Sequence, residues 1–344
     1  MKAIRIHGHG GVEQLRLDEL QRPHPGPRQV LVQVKAAALN HLDLWVRQGL
    51  PGVSLPIILG SDAAGIVEEV GRGITQYRAG DKVLAQPGHG CGRCEQCLCG
   101  RENYCASYRI VGEHVNGVQA EYVVLDEDKM LRMPSRLSFE EGAALPLVFM
   151  TAWEMLVNKG GVGPTDTVLV IAASSGVGSA AVQIAKAHGS QVIATAGTKK
   201  LERARQLGAD FVLDHYQQDV PKEVRKLTGG HGADIVVDHV GQATFQTSLR
   251  SLAKGGKLIF CGATKGCDVS LDLRFPFILQ QSILGSTMGL RGDLLKVMQL
   301  VEAGKLGPVV DQVFPFTEVA QAHEYLESGQ QFGKVVLSFA DQQL

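Results

Sequence analysis

Two hydrophobic rhythms divide the chain. Over residues 1–125, apolar and polar positions alternate in short runs cut by Gly and Pro, at 2–6, 29–36, 65–70, 82–85 and 121–124. A period of two in runs this short is the pattern of half-buried strands, so this part reads as an irregular, partly barrel-like β domain. The Arg22-Pro23-His24-Pro25-Gly26-Pro27 stretch reads as a turn connector. Around Ser138 the period lengthens. Ser138-Phe139-Glu140-Glu141 has the form of a capping box, and 143–157 carries apolar residues at helical spacing up to a break at Gly160-Gly161. Strand and helix then alternate, with strands expected over 167–171, 191–194, 211–213, 235–238, 257–261 and 283–286. Helices are expected over 178–188, 199–207, 220–227 and 244–252. That alternation predicts an α/β fold with a doubly wound parallel sheet. The tail from Asp293 holds one more amphipathic helix and then β-like runs, which most simply return to the first domain. The expected division is 1–150 completed by 290–344, and 151–289.

Composition narrows the class. The chain has 344 residues, more than one ordinary core accommodates, and is 44% hydrophobic and 20% charged. A formal net charge of -1 gives no electrostatic reason to expect nucleic acid or an acidic membrane surface as partner. No apolar run is long enough to span a bilayer, and Met1-Lys2-Ala3-Ile4-Arg5 does not open a secretory signal, so a cytoplasmic protein is expected. Gly is the outlying count at 41, which suits many tight turns and close backbone approaches.

Four of the seven cysteines, Cys91, Cys94, Cys97 and Cys105, follow C-x2-C-x2-C-x7-C. That is the outline of a closed tetrahedral thiolate set for structural zinc. A ferredoxin-type cluster needs its fourth Cys after three residues and a Pro behind it, whereas here the gap is seven and Ala106 follows. Cys99 is off the pattern, and Cys261 and Cys267 read as inert thiols.

The run Ala172-Ala173-Ser174-Ser175-Gly176-Val177-Gly178 lies between an expected strand and an expected helix, the context of a dinucleotide-binding turn. Ser175, Gly176, Val177 and Gly178 are the candidate pyrophosphate contacts, although Ala173 and Ser175 stand where the first two glycines of G-x-G-x-x-G would be. After the second strand, Thr195-Ala196-Gly197-Thr198-Lys199-Lys200 contains no acid. A carboxylate there would favour NAD, whereas Lys199, Lys200 or Arg203 could pair with a 2′-phosphate, so NADPH is expected, with NADH possible. Thr195 joins the candidate cofactor residues, as do Asp238 and Gly241 after the fourth strand. Asp238 could equally cap a turn.

Taken together, Asn40-His41-Leu42-Asp43, Leu59-Gly60-Ser61-Asp62-Ala63-Ala64-Gly65, the four-Cys loop, the Ser175 to Gly178 turn, Val237-Asp238-His239-Val240-Gly241 and Gly333-Lys334-Val335-Val336-Leu337 resemble the medium-chain dehydrogenase/reductase superfamily over essentially the whole chain. The resemblance implies a GroES-like, β-rich catalytic domain and a Rossmann cofactor domain. Zinc alcohol dehydrogenases of that superfamily also hold a catalytic zinc. The resemblance puts Asn40 at its first Cys, Ser61 at its His, Asp62 at its Glu, a residue near Leu147 at its last ligand and Leu42 at the proton-relaying hydroxyl. Asn, Ser and Leu do not make a zinc site. The chain is instead similar to the zinc-free quinone oxidoreductase and enoyl reductase branches, with the structural zinc loop kept. Implied is hydride transfer from NADPH to a quinone or α,β-unsaturated carbonyl, without a catalytic metal.

The candidate catalytic set is Asn40, Asp43, Ser61 and Asp62. Asn40 is either a donor to the substrate or an amide satisfying local backbone, Asp43 an orienting residue, and Asp62 a site or turn residue. By resemblance His41 lies near the pyrophosphate, while solvent is a sufficient proton source. Two other readings stay open: a zinc-type alcohol dehydrogenase, and a non-catalytic NADPH-binding protein. The uncharged run 283–288 reads as an edge strand, so a homodimer or homotetramer is expected.

Overall fold

The computed structural model describes residues 1–339. The chain forms two compact units, Met1–Leu147 with the segment from Leu290 onward, and Val148–Gly289. In the first, the strands are β1 (Lys2–Ile6), β2 (Arg16–Glu19), β3 (Gln29–Ala38), β4 (Ile57–Ile58), β5 (Asp62–Val70), β6 (Lys82–Ala85), β7 (Gly88–His89), β8 (Arg109–Ile110), β9 (Tyr122–Asp126) and β10 (Met130–Arg132). In the second, they are β11 (Thr167–Val170), β12 (Gln191–Ala196), β13 (Phe211–Asp214), β14 (Ala233–Asp238), β15 (Leu252–Phe260) and β16 (Ser282–Gly285). The chain then returns to the first unit with β17 (Val310–Pro315) and β18 (Lys334–Ser338).

The main sheet of the first unit runs β10-β6-β5-β3-β18-β17, with β9 also on β3, so the returning tail completes one side of it, β18 beside β3 and β17 at the edge. Val30, Val32 and Val34 of β3 and Val335 and Leu337 of β18 point into one core with Val67 and Val83. That alternation is the period of two seen in the sequence. Because β3 lies between β5 and β18, antiparallel to both, Ala38 at its end pairs with Asp62 and with Val336. Asn40, Asp62 and Lys334 therefore arrive at the same end of three adjacent strands.

The second unit has the order β13-β12-β11-β14-β15-β16, every pair parallel. This is the doubly wound sheet, its central strands apolar on both faces: Val168, Leu169 and Val170 of β11 and Ile235, Val236 and Val237 of β14 are all buried. The capping box is present at Ser138, whose hydroxyl accepts from Glu141 N at 3.2 Å while Glu141 Oε2 accepts from Ser138 N at 2.9 Å. The helical run after it is longer than its apolar spacing indicated, continuing as a π turn over Glu154–Gly160 and ending at Gly161. β15 begins five residues before the expected 257, at Leu252, because Gly255 and Gly256 are drawn into the strand beside a register shift in β14. Among the described residues no helix is long and apolar enough to cross a membrane.

Candidate functional site

Three groups of residues carry chemistry. The first is the cysteine loop. The Sγ atoms of Cys91, Cys94, Cys97 and Cys105 all lie within 4.8 Å of one another, and no other such metal-ligating group occurs among the described residues. Backbone N–H groups of Cys91 and Ser107 point at Cys105 Sγ, at 3.4 and 3.3 Å. Donors aimed at sulfur favour thiolates, the form a metal takes. Gly90 is fixed by the cluster, since a Cβ there would fall 2.4 Å from Cys97 Sγ. Four converging sulfurs with this second layer fit a structural zinc ion.

The second group is the turn after β11. Ser175 caps the helix Gly176–Ala187, its hydroxyl accepting from Gly178 N at 2.8 Å. With Gly178 N so engaged, the N–H groups of Gly176 and Val177 head the helix as first-turn donors, which is the anion-binding arrangement. Gly178 cannot carry a side chain, because its Cβ would meet Ala172 O at 2.3 Å. Just ahead of the fingerprint positions, Ala172 takes φ +52°, a strained conformation for a residue with a Cβ. The turn is braced by Thr195, buried, whose Oγ1 accepts from Ala172 N at 2.9 Å and whose carbonyl accepts from Ala173 N at 2.9 Å. Ala172→Gly is accordingly expected to raise stability by about 0.5–1 kcal/mol, read as a small rise in Tm.

Lys199 is exposed and Lys200 half-buried, on the 3-10 turn Thr198–Lys200. Sequence reasoning missed the neighbouring acid, Asp214 at the end of β13, whose Oδ2 accepts from Thr198 Oγ1 at 2.5 Å. That bond, with N–H groups of the following turn, holds its carboxyl below the usual range. Asp238 is wholly buried. Its oxygens accept from Val240 N and Gly241 N at 2.8 and 3.2 Å, and from Thr244 Oγ1 and Ser248 Oγ at 2.8 and 2.6 Å. No oxygen is left facing outward, so Asp238 braces the strand-end turn in which Gly241 takes φ +88°.

The third group lies at the common end of β5, β3 and β18. Asp62, fully buried, accepts from Leu147 N at 3.0 Å through Oδ1 and from Asn40 Nδ2 at 2.9 Å through Oδ2. Lys334 Nζ donates to Asn40 Oδ1 at 2.5 Å and lies 3.4 Å from Asp62 Oδ2. Asp43 accepts from Asn40 N at 2.8 Å and from Gly60 N at 3.0 Å. Asn40, Asp43 and Asp62 thus form one network. Ser61 is buried beside them but donates its hydroxyl to Val111 O at 2.6 Å, outside it. His41 opens the helix His41–Gln48 that follows Asn40. Lys334 appears in the sequence reading only within the terminal motif Gly333-Lys334-Val335-Val336-Leu337 and not as a candidate site residue. The available signal was a lysine at the head of an apolar strand, Lys334-Val335-Val336-Leu337, where burial forces a partner.

These arrangements can be set against known proteins. A profile described as zinc-binding dehydrogenase matches residues 176–303, and one described as alcohol dehydrogenase GroES-like domain matches residues 26–135. An NAD-dependent alcohol dehydrogenase of Sulfurisphaera tokodaii is 35% identical, over 98% of this chain and 99% of its own. The chain belongs to the zinc-type alcohol dehydrogenase-like medium-chain dehydrogenase/reductase superfamily. A solved NAD-dependent alcohol dehydrogenase superposes with TM-score 0.96 at 50% identity, covering 99% of this chain and 100% of that one. An acryloyl-coenzyme A reductase of Metallosphaera sedula is 31% identical over 98% of this chain and 100% of its own. This medium-chain enzyme is a nicotinamide-dependent oxidoreductase with a GroES-like unit and a Rossmann-like unit.

Burial governs the charges of the Asp62 network. It pushes the Asp43 carboxyl up to about 6, against two N–H donors and Lys334 that pull it down. Asp62 is raised and Lys334 lowered for the same reason, each only partly offset by the other. An acid whose folded value lies above its unfolded one stabilises the fold fully below the unfolded pKa near 4. That contribution is lost as pH rises through the folded value. The stability of the native enzyme relative to Asp43→Asn should therefore fall by about 2–3 kcal/mol between pH 4 and pH 7. Urea unfolding of both proteins at several pH values reads this directly, since a constant cost of the substitution cancels. A pH-independent difference would remove the ionisation from Asp43.

Proposed function

We propose that this medium-chain enzyme is a reductase of quinones or α,β-unsaturated carbonyl compounds, using NADPH and one structural zinc but no catalytic metal. The observation that carries the reading is the Lys334 ammonium between Asn40 and Asp62. A catalytic zinc needs three soft or imidazole ligands and an open position. At the positions that the resemblance assigns to those ligands stand an amide committed to Lys334 and Asp62, a hydroxyl committed to Val111 O, and the backbone of Leu147. The single carboxylate there, Asp62, already accepts three donors.

Without a Lewis acid, an alkoxide is hard to stabilise, whereas a conjugated carbonyl or quinone spreads its own developing charge. Bound NADPH supplies the hydride. The N–H groups of Gly176 and Val177 would hold its pyrophosphate, and Lys199 would pair with its 2′-phosphate. Lys334 keeps the Asn40 amide fixed, and the proton that completes the reduction comes from solvent. The same reading includes a homodimer or homotetramer.

Two measurements test it. NADPH and NADH consumption with enones, quinones, enoyl thioesters and aldehydes should favour NADPH and an electron-poor double bond, unaffected by chelator. Metal analysis should give one zinc per chain. Chelator-sensitive alcohol oxidation with two zinc ions per chain would overturn the proposal in favour of an alcohol dehydrogenase. For the cofactor, Lys199→Ala is expected to raise KM for NADPH about two- to fivefold, the scale of an exposed ion pair, and to leave KM for NADH unchanged.

A further inference from the structure

One buried imidazole has no role in the networks above. His239, only 8% exposed, stands directly after β14. Its Nδ1 is buried without a partner, and no other group among the described residues bonds its ring. Burial pushes the imidazole below the usual histidine value, against the pull of Asp238, so the ring is neutral at neutral pH. An unbonded polar ring inside a protein costs about 1–3 kcal/mol, which a polar group bound beside it would recover.

The direction of the side chain follows from the alternation along β14. Asp238 faces the helix Phe245–Ser251, where its Oδ2 accepts from Ser248 Oγ at 2.6 Å. Ile235 faces the other side, since a Cβ on Gly160 at the end of the π turn would stand 3.2 Å from Ile235 Cδ1. Continued from Ile235, the period of two turns His239 to this second side. Its place along the sheet follows from strand order. In a doubly wound sheet a dinucleotide lies across the carboxyl ends of the strands where the order reverses, one half on each side. Here the order reverses between β11 and β14, which are neighbours. With the pyrophosphate on the turn after β11 and the 2′-phosphate on that after β12, as proposed above, the reacting end falls on the β14 side. His239 is the first residue past that strand.

We propose that His239 is a catalytic residue, donating a hydrogen bond to the substrate's carbonyl oxygen as negative charge develops there. This role rests on the reductase reading above, and it provides the electrophile that a site without a catalytic metal needs. In that reaction a hydride adds to the β-carbon and the alkene electron pair shifts through the conjugated system onto the carbonyl oxygen. A solvent proton then completes the α-carbon, with NADPH the species oxidised. A donor already aimed at that oxygen lowers the barrier, and in a water-poor site a neutral imidazole N–H suffices. The neutral donors of the first unit's network are engaged elsewhere. Ser61 gives its only hydroxyl hydrogen to Val111 O, and the Asn40 amide is held by Asp62 and Lys334.

His239→Leu, which keeps the volume and removes the donor, tests this against the native enzyme's reduction of an enone and a quinone. Its kcat with the enone should fall about 100-fold, the scale of one lost oxyanion donor. The loss should be smaller with the quinone, whose second carbonyl helps to spread the charge. NADPH affinity, read by fluorescence titration, should stay within about twofold of native, and His239→Gln, which retains an N–H donor, should recover about tenfold of the lost kcat. A binding readout accompanies the kinetics: with NADP⁺ and an enone labelled at its carbonyl carbon, the infrared carbonyl stretch of the bound enone should lie lower in the native enzyme than in His239→Leu. An active native enzyme with an unimpaired His239→Leu would overturn this role alone. So would weakened NADPH binding at unchanged kcat, which would place the ring on the cofactor's ribose. A native enzyme that reduces neither substrate would instead remove the reductase reading, and this role with it. Should His239→Leu misfold, a carbonyl stretch in the native complex no lower than in an aprotic solvent would refute the hydrogen bond.

Discussion

Lys334→Met is expected to destabilise the protein by about 3–5 kcal/mol and to abolish most of its activity, because it strands the wholly buried Asp62 carboxylate without its cation. The cost comes from what remains, more than from the bond that is lost. Asp62 would still accept from Leu147 N and Asn40 Nδ2, but two neutral donors do not compensate a charge removed from water. Asn40 would lose the donor to its Oδ1 and with it the reason its amide faces one way. The double variant Lys334→Met/Asp62→Asn removes both charges and should recover more than half of the lost stability, since exchanging a buried pair for neutral groups is often nearly neutral. Denaturant midpoints of the two single variants and the double variant complete the cycle. A Lys334→Met protein within about 1 kcal/mol of native would show that the network is solvated and that Lys334 does not organise it.

That network marks the limit of what the chain discloses before folding. Strand positions were legible wherever apolar and polar residues alternate, as in Lys2–Ile6 and Lys82–Ala85, whose bounds the pattern gave residue for residue. The doubly wound sheet was legible for a related reason: its central strands are short, uniformly apolar and separated by helical spacing. Arg16–Glu19 escaped because three of its four residues are charged, and it is a strand through pairing with β1. The helix His41–Gln48 escaped because its buried face carries Asp43 and Arg47 beside Leu44 and Val46, so no apolar stripe emerges. In the site, the cysteines were readable from spacing alone, since the metal geometry constrains one short loop. Lys334 was not, being 294 residues from Asn40 and brought to it only by insertion of β18 beside β3. Sequence could nominate Asn40, Asp43, Ser61 and Asp62 individually, but the sheet order determines that Asn40, Asp43 and Asp62 share one network and Ser61 does not.

The second large effect is expected at the cysteine loop, where Cys97→Ser should abolish zinc binding and lower Tm by about 10 °C, the change that roughly 3–4 kcal/mol produces in a unit of this size. The loop has little else to hold it. The helix Glu95–Leu98 is a single turn, neither it nor Glu102–Tyr104 buries any residue, and Leu98 and Tyr104 are among the exposed large side chains. With so little apolar burial, the sulfurs are the main enthalpic reason for 90–106 to adopt one conformation, and losing one ligand frees the whole segment. The core around β3 and β18 does not depend on it, so the variant should keep its sheet signal in circular dichroism while protease cuts the loop first. Cys99→Ser is the control, lying outside the set of converging sulfurs, and should leave both zinc content and Tm unchanged. One zinc retained by Cys97→Ser would mean that the ion is held elsewhere, and the four-cysteine assignment would fall.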